Sequence, residues 1–453
     1  MRWIIEKQRD FFNTTKTYDL NTRLSCLKKL KRCIKKYEKD IYDALYNDLR
    51  KPRFEAYVGE VGFIIREIDF VLKHLKDWVK PQKVKTELVN IPAESFIYRQ
   101  PYGVCLILSP WNYPFHLTFL PLIGAIAAGN TAVVKPSEIA PNSESLIKEI
   151  IDNCCPSEYV SAVVGPKEIA ESLLNEKFDK IFFTGNTAVG KIVMKKASEH
   201  LTPVTLELGG KSPAIILNDA KLKTATKRIV WGKFFNAGQT CVAVDYVCVE
   251  KKIYKKFMKL LIEETKRYTS MKNFTKNYSK IINFRHFKRL TQLINESNVI
   301  FGGRTDTETL TIYPTIVEAQ KEDKIMEDEI FGPILPVLKF DSYEEIKDFV
   351  KAKPKPLAMY IFTEKASMKE KILREIQSGG VTINDTLIHL SSSLLPFGGI
   401  GSSGMGSYHG WFSFEEFSQK RAVVDRSTAI DIPLRYPPYG SVKFYSVKKI
   451  FYK

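Results

Sequence analysis

Long apolar runs are missing from this sequence of 453 residues. The longest, around Phe119 to Ala128, contains Pro121 and Gly124 and falls short of the roughly 20 residues that cross a bilayer, which argues against an integral membrane anchor. The opening Met1-Arg2-Trp3-Ile4-Ile5-Glu6-Lys7 lacks the apolar centre of a secretory signal, and the stretch from Ser446 to Lys453 carries no hydrophobic anchor. Cysteine is also scarce. The seven residues Cys26, Cys33, Cys105, Cys154, Cys155, Cys241 and Cys248 are odd in number and follow no framework spacing. A disulfide scaffold is therefore excluded and a reducing cytoplasm fits. Metal-ligand spacing is lacking as well, and the six histidines are scattered, so no metal is implied. No repeat, low-complexity tract or Ser/Gly linker divides the chain.

What is present is the composition of a globular protein: 44% hydrophobic, 26% charged and 12% aromatic residues, in a length that predicts more than one domain. The formal net charge is +18. The basic residues are dispersed, and runs such as Lys28-Lys29-Leu30-Lys31-Arg32 and Lys35-Lys36 alternate with apolar positions like the wet face of an amphipathic helix. With no recognition module beside the charge, no nucleic-acid partner is expected.

Residues from about 1 to 80 show helical periodicity, as with Ile41, Ala44, Leu45 and Leu49. After Pro81, Thr86–Ile91 and Ser95–Arg99 flank Pro92-Ala93-Glu94 and read as a projecting strand pair. From 100 to 210 short β-like runs alternate with helices, the pattern of parallel βαβ units: Gly103–Leu108, Thr131–Val134, Ser161–Val164, Lys180–Phe183 and Thr205–Leu208, with Asn142 or Ser143 as a helix cap before Leu146. A second α/β series, Pro213–Leu217, Ala243–Val249, Thr311–Val317, Ile334–Phe340, Ala358–Phe362 and Val381–Asn384, predicts a second domain packed against the first across a cleft.

Several segments could carry chemistry. Lys180 to Lys191 is a strand, a turn with Gly185 and Gly190, and a helix, a place where backbone N–H groups meet an anionic cofactor. It also fits the start of a P-loop, but Ile192 stands where Ser or Thr would hold magnesium. Lys135 and Glu138 follow a strand at the sheet end where ligands sit, or are plain loop charges. Cys241 follows the polar break Asn236-Ala237-Gly238-Gln239-Thr240, whereas Cys248 lies in a strand context typical of inert core thiols. Partners for a nucleophilic Cys241 exist. Glu207 lies between leucines beside Gly209-Gly210, a setting that raises a carboxyl pKa toward general-base work, and Asn112 is an amide donor braced by Pro110 and Pro114.

Taken together, Pro110-Trp111-Asn112-Tyr113-Pro114, Lys135-Pro136-Ser137-Glu138, Phe183-Thr184-Gly185 with Gly190, Glu207-Leu208-Gly209-Gly210-Lys211, Gly238-Gln239-Thr240-Cys241, Glu329-Ile330-Phe331-Gly332-Pro333 and Pro396-Phe397-Gly398-Gly399 resemble the aldehyde dehydrogenase superfamily, in that family's order. Length and Gly406-Ser407-Tyr408-His409-Gly410 resemble its class 3 branch of fatty and aromatic aldehyde dehydrogenases, with Ser402 where an Asn is more familiar. The resemblance implies an α/β aldehyde dehydrogenase-like fold. A Rossmann-like domain (1–83 and 100–208) would bind NAD or NADP, 209–415 would form the catalytic domain, and 84–99 with 416–445 would supply an oligomerisation hairpin and C-terminal strand in a homodimer.

It further implies that Cys241 is the nucleophile, Glu207 the general base and Asn112 the oxyanion donor. Lys135 and Glu329 would be ribose ligands, Glu138, Gly185, Gly190 and Phe331 would border the cofactor, and Tyr113, Trp231, Phe397 and His409 would line a tunnel for an apolar aliphatic or aromatic aldehyde. Attack of the thiol would give a thiohemiacetal, hydride loss a thioester, and water activated by Glu207 a carboxylate. Glu138 disfavours a 2′-phosphate while Lys135 and the net charge favour one, so both cofactors stay open. The alternatives are a cofactor-independent thiol hydrolase, for which no histidine is singled out, and a non-enzymatic binding protein, for which loss of Cys241 or Glu207 would be expected.

Overall fold

The structure, a computed structural model, describes every residue except 273, 432, 452 and 453. Three larger sheets and one two-stranded ladder organise it. The strands are β1 Gln82–Val84, β2 Ala93–Pro101, β3 Val104–Leu108, β4 Thr131–Lys135, β5 Val160–Ala162, β6 Lys180–Gly185, β7 Val204–Leu208, β8 Pro213–Ile216 and β9 Tyr246–Glu250. They continue as β10 Asn298–Phe301, β11 Thr305–Asp306, β12 Thr311–Ile312, β13 Thr315–Glu318, β14 Ile334–Phe340, β15 Ala358–Phe362, β16 Gly380–Ile383, β17 Gly404–Met405 and β18 Ser418–Arg426.

The first large sheet has the order β17-β7-β6-β3-β4-β5 and the second β10-β13-β14-β9-β8-β15-β16. Both are parallel except at β17 and β10, which pair antiparallel at one edge. β3 and β4 are buried along their whole length, as parallel strands covered on both faces must be. One cover is the helix His116–Ala128, whose 13 residues are all buried, so the longest apolar run of the sequence is a core helix. The α/β fold with two parallel sheets agrees with the alternating pattern of the sequence.

At the amino end, Ile41, Ala44, Leu45 and Leu49 all lie on the buried face of the helix Glu38–Leu49. In the helix Leu20–Lys36, Leu27, Leu30 and Ile34 point inward while Lys28, Lys29, Arg32, Lys35 and Lys36 face solvent. The apolar periodicity thus sets which side each helix buries, and the lysines are its wet face.

The structure departs from the sequence reading in four places. The projecting hairpin begins earlier: β1 covers 82–84, and Leu88–Asn90 is a 3-10 turn. The C-terminal strand ends at Arg426, and Pro433–Arg435 and Ser441–Phe451 are helical rather than extended. The run 311–317 is split into β12 and β13 by Tyr313-Pro314, since proline donates no ladder hydrogen bond. The helix Pro141–Cys154 starts with its proline, and neither Asn142 nor Ser143 caps it. Its free N–H groups are met by Asp48, whose Oδ1 accepts from Asn142 N at 3.2 Å and Oδ2 from Ser143 N at 2.8 Å. A carboxylate from another helix replaces the local cap.

The third sheet, β1-β2-β18, is antiparallel. β18 pairs with β2 over nine residues, from Ser418↔Pro101 to Arg426↔Ala93, and its other edge is unpaired within the described chain.

Candidate active site

Between the helix Leu222–Phe234 and Cys241 the backbone is irregular. Asn236 and Ala237 both have φ of 51° and Gly238 has 72°. Two non-glycine residues in succession in the left-handed region cost on the order of 1–3 kcal/mol each and persist only where surroundings hold them. Here Glu55 Oε2 accepts from Asn236 N at 2.9 Å, Asn236 Nδ2 donates to the carbonyls of Asn112 and Gln239 at 3.1 Å, and Gln239 Nε2 donates to Lys280 O at 3.0 Å. Burial raises the Glu55 carboxyl to about 7 despite that backbone donor and Lys51.

The loop delivers Cys241 to Glu207. Cys241 Sγ donates to Glu207 Oε1 at 3.3 Å, while Glu207 Oε2 accepts from Tyr408 Oη at 2.7 Å and Thr184 Oγ1 at 3.3 Å. Glu207 lies on β7 and Thr184 on β6, directly opposite in register, and β17 pairs Gly404 with Glu207 on the other side. Burial pushes the Glu207 carboxyl up, against three hydrogen bonds that lower it. Burial and the Glu207 carboxylate hold the Cys241 thiol well above its ordinary range. Cys241 therefore rests as a neutral thiol with its S–H directed at the Glu207 carboxyl, and moving that proton to Glu207 runs uphill.

Asn112 is buried and its Nδ2 donates to Gln239 O at 3.1 Å, leaving its second amide hydrogen available. Its carbonyl accepts from Lys51 Nζ at 2.9 Å, and Lys51 forms a fully buried ion pair with Glu60. Glu60 lies in a π-helical turn, Tyr57–Val61, and its other oxygen accepts from Phe115 N and His116 N at 2.9 and 3.1 Å. Such turns favour functional sites because they displace a backbone group from the helical ladder. The Gly59 carbonyl of this turn meets His116 Nδ1 at 3.0 Å.

On one side of Cys241 opens a cavity of about 240 Å³. Tyr113, Trp231, Phe397 and His409 all line it, with Phe63, Leu117, Phe235, Val242 and Leu387. Phe397 stacks on His409 with ring centroids 5.3 Å apart, and Tyr113 Oη is spent on Thr240 Oγ1 at 2.7 Å. Burial keeps His409 neutral, its pKa well below the ordinary value. The cavity is thus a hydrocarbon-like slot with Trp231, 38% exposed, at its rim.

On the other side lie polar groups at the carboxyl ends of the first sheet. Lys135 ends β4 and is buried, its Nζ donating to Pro136 O at 2.5 Å, Glu144 Oε1 at 3.1 Å and Glu138 Oε2 at 3.4 Å. Gly185 ends β6, and Asn186 caps the next helix by accepting from Val189 N at 2.9 Å. Gly190 serves packing: a Cβ there would sit 2.7 Å from Leu208 Cδ2. A Cβ at Gly209 would meet Glu329 Oε2 at 2.0 Å, so this glycine lets the Glu329 carboxylate lie on the backbone. Burial and the Asp245 carboxylate raise Glu329 to about 8. Lys211 anchors the segment, donating to Asp245 Oδ2 at 2.6 Å and to Asp328 O at 2.7 Å. Phe331, with φ of 51°, packs edge-on against Trp111 at 5.4 Å. Ser109, at the end of β3, has a buried Oγ with no protein partner, an orphan that suits a polar ligand in this cleft.

Tyr408 and Thr184 are assigned no role from sequence, although both stand inside quoted motifs. Thr184 stands opposite Glu207 in the β6–β7 ladder and Tyr408 follows shortly after β17, which pairs with Glu207 from the other side, so both are found only once the pairing is seen.

A thiol hydrogen-bonded to a buried carboxylate, set between the carboxyl end of a parallel sheet and an apolar slot in an α/β fold, has the form of an enzyme site. The comparisons give the family. Residues 2–423 match the model of the aldehyde dehydrogenase family, and the chain belongs to it. It is an oxidoreductase acting on aldehydes. It is similar to 4,4'-diaponeurosporen-aldehyde dehydrogenase of Staphylococcus aureus, 44% identical over 97% of each chain. A dimeric NADP-preferring aldehyde dehydrogenase of Canis lupus familiaris is 42% identical over 96% of this chain and 97% of its own. Among solved structures, a substrate-bound state of Staphylococcus aureus AldH superposes with a TM-score of 0.97 at 43% identity, covering 100% of this chain and 99% of that one. An NAD+ complex of an aldehyde dehydrogenase from Bacillus cereus gives 0.85 at 25% identity over 93% and 88%. Cys248, by contrast with Cys241, is fully buried in β9 with no role in the site.

Proposed function

We propose that this chain oxidises apolar aliphatic or aromatic aldehydes to carboxylates with NAD or NADP, through a covalent adduct on Cys241. The observation that carries the reading is the 3.3 Å contact of Cys241 Sγ with the buried Glu207 at the inner end of an apolar slot. Glu207 takes the thiol proton, and the thiolate attacks the carbonyl carbon of an aldehyde held in the slot. The oxyanion that forms is stabilised by Asn112 Nδ2 and the Cys241 backbone N–H. Bound NAD or NADP supplies an acceptor for the hydride that leaves the substrate carbon. Cys241 then holds the acyl group as a thioester, and Glu207, its proton passed on, draws a proton from water, which attacks the thioester and frees the carboxylate and the thiol.

Lys135 and Glu329 would hold ribose hydroxyls, Glu138 would border the adenosine end, and Gly185, Gly190 and Phe331 would frame the rest. The orphan hydroxyl of Ser109 supports this fit. Residues 1–83 and 100–208 form the cofactor domain, 209–415 the catalytic domain, and 84–99 with 416–445 the oligomerisation element. The open edge of β18, nine residues long, supports a homodimer. Among the described residues no helix is long and apolar enough to cross a membrane, and the seven free thiols support residence in the reducing cytoplasm.

The test follows absorbance of the reduced nicotinamide with purified protein, medium-chain and aromatic aldehydes, and each cofactor. Cys241→Ala removes at least about 10³ of the rate while cofactor binding persists. Turnover that survives the substitution overturns the reading.

A further inference from the structure

Away from Cys241, four of the remaining thiols gather where the helix Leu20–Lys36 packs on the end of the helix Pro141–Cys154. Cys26 and Cys33 lie two turns apart on the first helix, Cys154 is the last residue of the second, and Cys155 is its extended cap. Cys26 Sγ stands 3.1 Å from Cys155 Sγ, and Cys154 Sγ stands 3.5 Å from Cys155 Sγ. The thiol of Cys33 interacts with that of Cys154. Cys26, Cys154 and Cys155 are buried, and Cys33 alone of the four is partly exposed. The four sulfurs therefore form a line from the surface inward: Cys33, Cys154, Cys155, Cys26.

We infer that Cys26 and Cys155 are a reversible dithiol–disulfide pair, oxidised through Cys33 by a peroxide, that ties the two helices together without touching the catalytic thiol. Closing the pair needs Sγ of Cys26 and Cys155 to approach by about 1 Å from contact to bonding distance, a movement that side-chain rotation supplies. No hydrogen-bond partner other than a neighbouring thiol competes for either sulfur. Burial raises the Cys33 thiol above its ordinary range, and the charge of Lys29, on the turn between Cys26 and Cys33, offsets part of that rise at the partly exposed end of the line.

The chemistry balances. The Cys33 thiolate attacks one oxygen of hydrogen peroxide, the O–O bond breaks, and the sulfur leaves as sulfenic acid while hydroxide takes up a proton to become water. Cys154 then attacks that sulfur. Its S–H proton departs with the displaced hydroxide as a second water, and a Cys33–Cys154 bond forms. Exchange along the two short contacts hands this bond inward: Cys155 displaces Cys33 from Cys154, and Cys26 displaces Cys154 from Cys155, each released thiolate regaining the proton of the one that attacked. The sum is two thiols oxidised by two electrons and one peroxide reduced to two waters.

The full-length protein is treated with hydrogen peroxide, quenched with an alkylating agent under denaturing conditions, and mapped by mass spectrometry with and without prior reduction by dithiothreitol. The expected result is a linked peptide pair containing Cys26 and Cys155, a loss of two alkylatable thiols that dithiothreitol reverses, and a melting temperature raised by several degrees. Cys33→Ser, at the partly exposed position, slows formation of the link at least about tenfold at the same peroxide concentration. Cys26 and Cys155 still alkylatable after a dose that has consumed Cys241 overturns the pair, as does a link mapped between other cysteines. A link that forms as fast in Cys33→Ser overturns entry through Cys33. The peptide map of the unaltered chain decides the pair even if a variant folds poorly, and it does not depend on dehydrogenase activity.

Discussion

The loop that carries Cys241 has two unlike neighbours. Toward the aldehyde, Tyr113, Phe397, Leu117 and Val242 leave scarcely a polar atom unspent, even Tyr113 Oη being committed to Thr240. Toward the cofactor cleft, Lys135 is surrounded by Glu138 and Glu144, and Lys211, Asp245 and Glu329 form a second charged group. The apolar side can discriminate only by area and shape, because hydrocarbon contact is non-directional. The polar side fixes position, since Lys135 and Lys211 are each already oriented by three hydrogen bonds. Glu207 belongs to both. Its carboxylate faces the slot, where Tyr408 holds it, while Thr184 holds it from the neighbouring strand β6.

Changes on the two sides should therefore separate in kinetics. The largest effect belongs to the shared residue: Glu207→Gln lowers kcat by about 10²–10⁴ through loss of the base. Rapid-mixing experiments should then show cofactor reduction and acyl-enzyme hydrolysis both slowed, and a full-rate burst of reduction followed by a stalled acyl-enzyme would instead confine the base to the hydrolytic step. On the apolar side, Trp231→Ala at the half-open rim raises KM for long apolar aldehydes about tenfold with kcat nearly unchanged. An equal loss for acetaldehyde and a long-chain aldehyde contradicts a role set by contact area.

Behind the carboxylate, Tyr408→Phe costs a smaller factor, about three- to tenfold in kcat. Because the tyrosine hydroxyl lowers the Glu207 pKa, its removal shifts the pH limb governed by Glu207 upward, which a pH–rate profile reads directly. A profile that scales down without moving makes Tyr408 a packing residue.

The last effect is one of stability and leaves the chemistry untouched. The Glu55 carboxyl, raised to about 7 from 4.5, keeps in the folded chain a proton that the unfolded chain releases. Its contribution is full below the unfolded value and is lost as pH rises toward 7, by up to about 3 kcal/mol. Urea midpoints measured at about pH 5 and pH 8 should fall more for the native chain than for Glu55→Gln, whose charge does not change. Equal slopes for the two would mean that Glu55 is already ionised when the loop is in place.

Much of this was legible along the chain. The apolar runs of the two series coincide with strands such as 334–340 and 358–362, because parallel strands buried on both faces must be continuously hydrophobic. Cys241 stood out from Cys248 by its polar, glycine-containing approach. What was not legible depends on partners distant in sequence. Asp48 capping the helix at 141, Glu55 holding Asn236, and the Lys51–Glu60 pair under Asn112 join segments that no local pattern links. The end of the last strand was missed for a related reason: the ladder with β2 stops at Arg426↔Ala93, where β2 itself begins, and that limit is set by a partner more than 300 residues away.

The antiparallel pairing of Gly404 with Glu207 has a consequence for how the protein comes into being. On the ribosome, β7 emerges and pairs with β6 while its outer edge stays bare. The two residues that cover it are synthesised roughly 200 residues later, a delay on the order of 10–40 s at ordinary elongation rates. During that interval the strand holding Glu207 is an open template for another nascent chain, and Tyr408, which donates to its carboxylate, does not yet exist. Messages that stall after residue 400 should yield chains with both sheets nearly complete, a Glu207 without its Tyr408 partner, and a tendency to associate through this one edge.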